Sequence, residues 1–309
     1  MPTSEVLDWL LSGDVAVAYS TTRDLLGHED RDLQCRIATE GLGATLLAAR
    51  GPDGHWGRGF YQPKWTSSHY TLLQLREIAF PPTHPAVRES VQLILATEKG
   101  HDGGVNPSAR HEPSDACVNG MALNYASWFW ADADDLRSVV DYLLRQRVTD
   151  GGFNCKHHEP DDAVHHSSVH TTVCVIEGIT TYLHSGFAYR RDELEQARST
   201  AVEFLLRHRL FRSERTGAPI DSELTRLHFP ARWHFDILRG LDALAAAGVP
   251  RDERMDDALG VLHSRRRVDG RWVVNRAYPG ATHVLGDPAG QPSRWVTLIA
   301  ERVLLAYPE

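Results

Sequence analysis

Apolar residues recur at steps of three and four along most of the chain, the helical period, and short Asp-Gly turns interrupt that period at a steady interval. The turns read Asp53-Gly54-His55-Trp56-Gly57, Asp102-Gly103-Gly104-Val105-Asn106, Asp150-Gly151-Gly152-Phe153-Asn154 and Asp269-Gly270-Arg271-Trp272-Val273. Their starts lie 49, 48 and 119 residues apart. The last gap reads as two units, with a degenerate turn near Phe211 to Gly217 where an insertion has erased the Asp-Gly signal. Each unit holds two helices.

One helix of each unit follows its turn, at about 66–80, 114–129, 167–183, 232–248 and 293–307. These segments are apolar, small or aromatic on most faces, the mark of helices buried on both sides. The other set runs into the turns at about 31–50, 85–99, 132–147, 192–209 and 252–267. It carries charge on one face, as in Arg137, Asp141, Arg145 and Arg147, and belongs outside. The opening segment adds a short helix near 4–12 and an inner helix at 14–26. Six inner and about six outer helices close a ring, so the expected fold is all-α, one closed α/α toroid spanning 1–309 as a single domain. A sustained repeat outweighs the length prior for two domains.

Composition narrows the function class. The 309 residues are 42% hydrophobic and 24% charged, ordinary for a globule. A net charge of −8 argues against a nucleic-acid surface. No apolar stretch is long enough for a membrane span, and no basic-then-apolar leader opens the chain. Four cysteines without a Cys-x-x-Cys pair make no disulfide framework. The expectation is a cytoplasmic protein with reduced thiols. Lysine occurs only at 64, 99 and 156, which suggests a GC-rich bacterial source and decides nothing about chemistry.

The densest candidate chemistry is Asp115-Ala116-Cys117 with His170-Thr171-Thr172-Val173-Cys174. A carboxylate, a thiolate and an imidazole make a three-ligand zinc set with one open position, the catalytic kind. Cys117 and His170 stand about one repeat apart, so they can meet at one rim. Asp115 and Cys117 open an inner helix whose positive amino end favours a thiolate. The ordinary alternative is a capping Asp, a small buried Cys and a core His.

The turns joining paired helices resemble the prenyltransferase and squalene-cyclase repeat superfamily over nearly the whole chain. Asp115-x-Cys117 resembles the zinc-binding Asp-x-Cys of protein prenyltransferase β subunits, and Val169-His170-Thr171-Thr172-Val173-Cys174 running to Glu177-Gly178-Ile179 is similar to the helix carrying that family's zinc histidine. The match breaks elsewhere. Where the family has Arg and Lys before the motif, this chain has Ala109-Arg110-His111-Glu112-Pro113-Ser114. Val118, not Tyr, follows the cysteine. Tyr70-Thr71 aligns on the preceding inner helix, but Ser67 stands where the family has His.

Other residues can rebuild a site at that rim. Lys64, Arg110, Arg232 and Arg294 precede or open inner helices and suit an anionic group, or pair with rim carboxylates. Trp65, Tyr70, Trp128, Phe129, Trp233, Phe235 and Trp295 line an apolar cavity or fill the core. The loop from Lys156 to His166 is rich in His, Asp and Glu, and within it His166 is a candidate fourth ligand or general base; a solvated polar loop is the alternative. Cys155 is a weaker candidate ligand, and Cys35 and Cys174 read as core thiols. Asp132-Ala133-Asp134-Asp135 spells the class II terpene-cyclase acid motif, but it opens an outer helix and is read as capping.

The leading expectation is a zinc-dependent, prenyltransferase-like enzyme that moves an isoprenoid or similar alkyl group to a zinc-activated nucleophile. Arg110, Arg232, Arg294 and Lys64 with Trp65 and Trp233 bind substrate, and His166 and Tyr70 assist catalysis. The alternative is a hydrolase, lyase or cyclase on a small metabolite, and a further one is a terpene-cyclase-like or non-catalytic binding toroid. The partner is a small, apolar or isoprenoid molecule; a helical partner subunit, as in the protein prenyltransferases, is left open.

Overall fold

The computed structural model of the protein describes residues 2–107, 113–155 and 166–308. Within them the chain is helical, with only isolated β-bridges at the turns. The elements are α1 (Ser4–Leu11), α2 (Val15–Asp24), α3 (Arg31–Arg36), α4 (Gly41–Ala48), α5 (Ser68–Glu77), α6 (Pro85–Thr97), α7 (Ala116–Trp128), α8 (Ala133–Arg145), α9 (Val169–His184), α10 (Arg191–Arg207), α11 (Ile237–Ala246), α12 (Asp256–Ser264) and α13 (Arg294–Ala306).

The inner helices are α2, α5, α7, α9, α11 and α13. From α5 to α13 each packs on the next, α13 returns to α2, and α4 bridges α2 and α5. The ring is therefore closed, an α/α toroid with α1, α3 and α4, α6, α8, α10 and α12 outside. The tightest approach is α7 on α9. A β-carbon at Gly120 would fall within 2.6 Å of the Cys174 carbonyl, and one at Gly178 within 2.3 Å of the Gly120 carbonyl, so the two backbones touch only because both positions are glycine.

The repeat has a hydrogen-bonding logic. The turn aspartates fold their own turns: Asp102 accepts from the Gly104 and Ser114 backbone N–H and the Ser114 hydroxyl, and Asp150 does the same with Gly152 and Ser167. The next turn residue then donates its N–H to a side chain on the following inner helix. Trp56 donates to Ser68, Val105 to Asn119, Phe153 to Thr172 and Trp272 to Thr297, at 2.7–3.0 Å. The first three turns also meet the next outer helix, where Ser90, Arg145 and Arg207 donate to the Gly54, Asp102 and Asp150 carbonyls. A buried N–H or C=O without a partner is costly, so the side chains that supply partners recur with the period.

Two elements differ from their predicted extents. The outer segment 31–50 is broken into α3 and α4 because Gly41 takes φ +59°, with the Asp14 carboxylate where a β-carbon would sit. Asp14 caps α2 through Ala16 N–H and also accepts Leu42 N–H at 2.8 Å. The inner segment 232–248 starts only at Ile237. Asp236 caps α11 by accepting Arg239 N–H at 2.9 Å and accepts His228 N–H at 3.0 Å, which holds residues 226–236 as a loop. Asp132 of the acid-motif lookalike is the N-cap of α8 and accepts Asp134 N–H at 2.9 Å, the capping role expected for that motif.

No helix among the described residues is long and apolar enough to cross a membrane.

Candidate functional site

The inner helices run in one sense, so the bore has an amino-terminal and a carboxyl-terminal mouth. Lys64, Trp65, Tyr70, His170 and Trp233 gather at the first. Trp233 stacks on His234 at 3.8 Å between ring centroids, and His234 on Tyr278 at 3.6 Å. Trp65 donates its indole N–H to the Pro279 carbonyl at 2.6 Å and packs edge-on to Tyr70 at 4.8 Å. The exposed Lys64 ammonium lies over both Trp65 and Trp233. Loops 226–236 and 275–285 are thus packed across this mouth. Tyr70 is fully buried and shares a 3.0 Å hydrogen bond with Tyr61; burial holds its phenol far above the usual range. It is a wall residue.

The zinc donors do not converge. Among the described residues no group of three His, Cys, Asp or Glu side chains is placed to hold a metal ion. His170 Nδ1 accepts the Phe235 N–H at 2.8 Å, so in the neutral ring Nε2 carries the hydrogen and has no lone pair for a metal. Cys117 N–H donates to Cys155 Sγ at 3.2 Å. The hydrogen bond between the two thiols, then burial, holds Cys117 above the usual thiol range, while that hydrogen bond, against burial and aided by Thr171, lowers Cys155. Asp115 stands at the N-cap of α7 without a side-chain cap bond. These residues, as placed, do not fit zinc.

The remaining candidates scatter. His166 is exposed, its carbonyl bonded to Asn154. Arg294 turns outward, donating to the Trp9 carbonyl at 3.0 Å and lying over the Trp9 ring. Arg232 is buried in the bore, donating to Gln74 Oε1 at 3.2 Å and lying 5.5 Å from Trp65; it belongs to the loop, not to an inner helix. Arg110 and residues 156–165 lie outside the described residues.

At the carboxyl-terminal mouth lies a cavity of about 500 Å³. Arg23 and Asp24 from the end of α2, Arg76 and Glu77 from the end of α5, Asn124 of α7, Glu177 and Thr181 of α9, Arg239 and Asp242 of α11, and Arg302 of α13 face it. His228, Phe229 and Ala231 of the 226–236 loop also line it. Apolar surface comes from Leu238, Trp295, Ile299 and Leu305, with Phe229 stacked on Trp295 at 4.6 Å.

Most charges here are matched. Arg239 clamps Glu177 through two bonds of 2.7 and 2.8 Å and donates to the Arg232 and His234 carbonyls, tying the loop to the barrel. Arg302 grips Asp242 with two bonds and also Asp24, which Arg23 shares. Burial alone would raise Asp24, but Arg302 and Arg23 hold it below the usual carboxylate range. Glu77 differs. Its Oε2 is closed off from water and makes no hydrogen bond among the described residues. Burial pushes its carboxyl up to about 7 against the pull of Arg239 and Arg232, with Glu177 adding to the rise. His228 is buried, with Nδ1 at 3.4 Å from the Asp236 carboxylate.

Sequence reading missed this constellation. The available signal was charge on helices read as buried on both faces: Arg76, Glu77, Glu177, Arg239, Asp242 and Arg302 all fall inside the predicted inner segments. A charge there needs a partner or a purpose.

The fold is shared with solved structures. A glycosyl hydrolase family 88 protein from Bacteroides vulgatus superposes with a TM-score of 0.55 over 94% of this chain and 90% of its own, at 12% identity. A possible member of the GH105 family from Salmonella enterica serovar Paratyphi A gives 0.53 over 98% and 91%, at 9% identity. The type II terpene cyclase MstE from Scytonema matches over 89% and 97% at 15% identity, with a TM-score of 0.36. No family model matches the chain, and no curated protein matches it in sequence. The first two likenesses, at such identities, establish the α/α toroid fold.

Proposed function

We propose that the chain is an enzyme of hydrolase, lyase or cyclase type that performs general acid-base chemistry on a small molecule in the carboxyl-terminal cavity. The observation that carries this reading is Glu77, a carboxyl enclosed at the cavity wall with an unbonded oxygen. Near neutral pH such a group is balanced between acid and base, the condition under which proton transfer to a reacting atom is most effective. The fold is shared with a glycosyl hydrolase family 88 protein, which is compatible with the reading and does not carry it.

His228 is the complementary group. An ionised Asp236 accepts only, so it selects the tautomer with hydrogen on Nδ1, leaving Nε2 as a lone-pair acceptor in a ring that lines the cavity. Glu77 then gives a proton to the departing or unsaturated atom and His228 removes one from water or carbon. Transfer from an allylic diphosphate is less well supported, because Arg23, Arg239 and Arg302 are already held by carboxylates.

The test is a screen of small-metabolite pools by mass spectrometry, comparing the native protein with Glu77→Gln and Cys117→Ala. The expected result is turnover reduced about a hundredfold or more in Glu77→Gln and retained in Cys117→Ala. Turnover that survives Glu77→Gln and disappears with Cys117→Ala moves the chemistry to the other mouth.

A further inference from the structure

The charge pattern of the cavity narrows its ligand, on the footing that this cavity is the working site. Four arginines and four carboxylates line it. Arg23, Arg239 and Arg302 each form a direct ion pair with Asp24, Glu177 or Asp242. Arg76 has no carboxylate within ion-pair distance among the described residues. Its Nε donates to Asn124 Oδ1 at 2.7 Å and its Nη2 to Thr181 Oγ1 at 3.1 Å, both neutral. The Asn124 oxygen also accepts the Thr181 hydroxyl at 2.7 Å. These two partners fix the guanidinium plane and leave Nη1 without a bond. The Phe229–Trp295 stack, Ile299 and Leu305 line the same cavity.

We propose that the cavity binds a monocarboxylate with a compact apolar body, the carboxylate on Arg76 and the body against Phe229 and Trp295. An enclosed guanidinium without a counter-charge is costly and stays protonated, so an anion that completes it gains more than a neutral molecule. A carboxylate supplies the single missing charge. A diphosphate brings at least one more negative charge than the unpaired cation matches, and excess buried charge opposes binding. Glu77, adjacent on α5, is neutral at low pH and can donate to the same anion; once ionised it repels it.

The experiment is calorimetric titration of the native protein with 3-phenylpropanoate, its neutral amide 3-phenylpropanamide, and inorganic pyrophosphate, repeated on Arg76→Gln and Glu77→Gln. The acid should bind the native protein about tenfold to a hundredfold more tightly than the amide, the scale of a charge-assisted hydrogen bond, and more tightly than pyrophosphate. Arg76→Gln should lose that preference, and native affinity for the acid should fall as pH rises through 7, a fall that Glu77→Gln should flatten. Equal binding of acid and amide, tighter binding of pyrophosphate, or no binding of the acid at millimolar concentration each overturns the proposal. The acid-amide comparison on native protein stands even where a variant fails to fold. The two readings fail separately: carboxylate selectivity with unimpaired turnover in Glu77→Gln removes the acid-base role and keeps the anion site.

Discussion

The two mouths of the barrel are built from the same six helices and differ in what fills them. At the amino-terminal mouth, aromatic and imidazole rings stack with centroids 3.6–3.8 Å apart and the loops around Trp233 and Tyr278 are packed into the bore. At the carboxyl-terminal mouth a cavity of about 500 Å³ remains, walled by arginines and carboxylates. The same polarity explains part of this. Helix carboxyl ends carry partial negative charge, so the last turns of α2 and α5 favour Arg23 and Arg76, and a carboxylate such as Glu77 is disfavoured there in its charged form. Motif spacing pointed to one mouth; uncompensated charge points to the other.

The largest expected effect tests the device that separates the mouths. Arg239 joins Glu177 to the 226–236 loop, and it is buried. Arg239→Ala strands the carboxylate and two carbonyls, so urea denaturation should show a loss of about 3–5 kcal/mol. A loss under about 1 kcal/mol would mean the clamp behaves like an exposed pair and does not hold the loop.

Next in size is the pH dependence set by Glu77. Its folded pKa, about 7, lies above the ordinary carboxyl value of 4.5, so between these values the native state binds more proton than the unfolded one. Stability from this group is present below about pH 4.5 and is lost as pH rises to 7. Glu77→Gln should therefore be more stable than the native protein at pH 8, with the difference shrinking toward pH 5, as read by thermal denaturation across that range. A constant difference would place Glu77 in an ordinary solvated setting.

A smaller effect is expected at the opposite mouth. Cys117→Ala should change stability by about 1 kcal/mol and leave the metal content of protein purified without chelator unchanged. One zinc per native chain, lost in that variant, would restore the Asp-x-Cys reading. The smallest effect concerns the outer helix α8. Asp134→Asn and Asp135→Asn should each stay within about 0.5 kcal/mol, while Asp132→Ala, which removes the cap, should cost about 1 kcal/mol.

Legibility followed the same divide. The toroid was readable because Asp53, Asp102, Asp150 and Asp269 fold local turns and their neighbours bond to the next helix, a short-range grammar that repeats. The loop before α11 was misread because Trp233 and Phe235 extend the apolar pattern backwards; the signal against it was Asp236 ahead of Ile237, a capping residue before an apolar run. The cavity was not readable as a motif. Arg302 meets Asp24 across 278 positions, and only ring closure reveals that Arg76 is left without a carboxylate among the described residues while its three neighbours are paired. Asp115, Cys117 and His170 had the reverse character: suggestive spacing, but an imidazole nitrogen already committed to the Phe235 N–H.

The most direct measurement is the titration of the Glu77 carboxyl itself, followed by carbon-13 NMR of side-chain-labelled glutamate in the native protein with Glu77→Gln as the assignment control. The account predicts one carboxyl carbon titrating near pH 7, absent from the variant. A Glu77 resonance titrating near the ordinary value of 4.5 would contradict the placement of an acid-base group in this cavity.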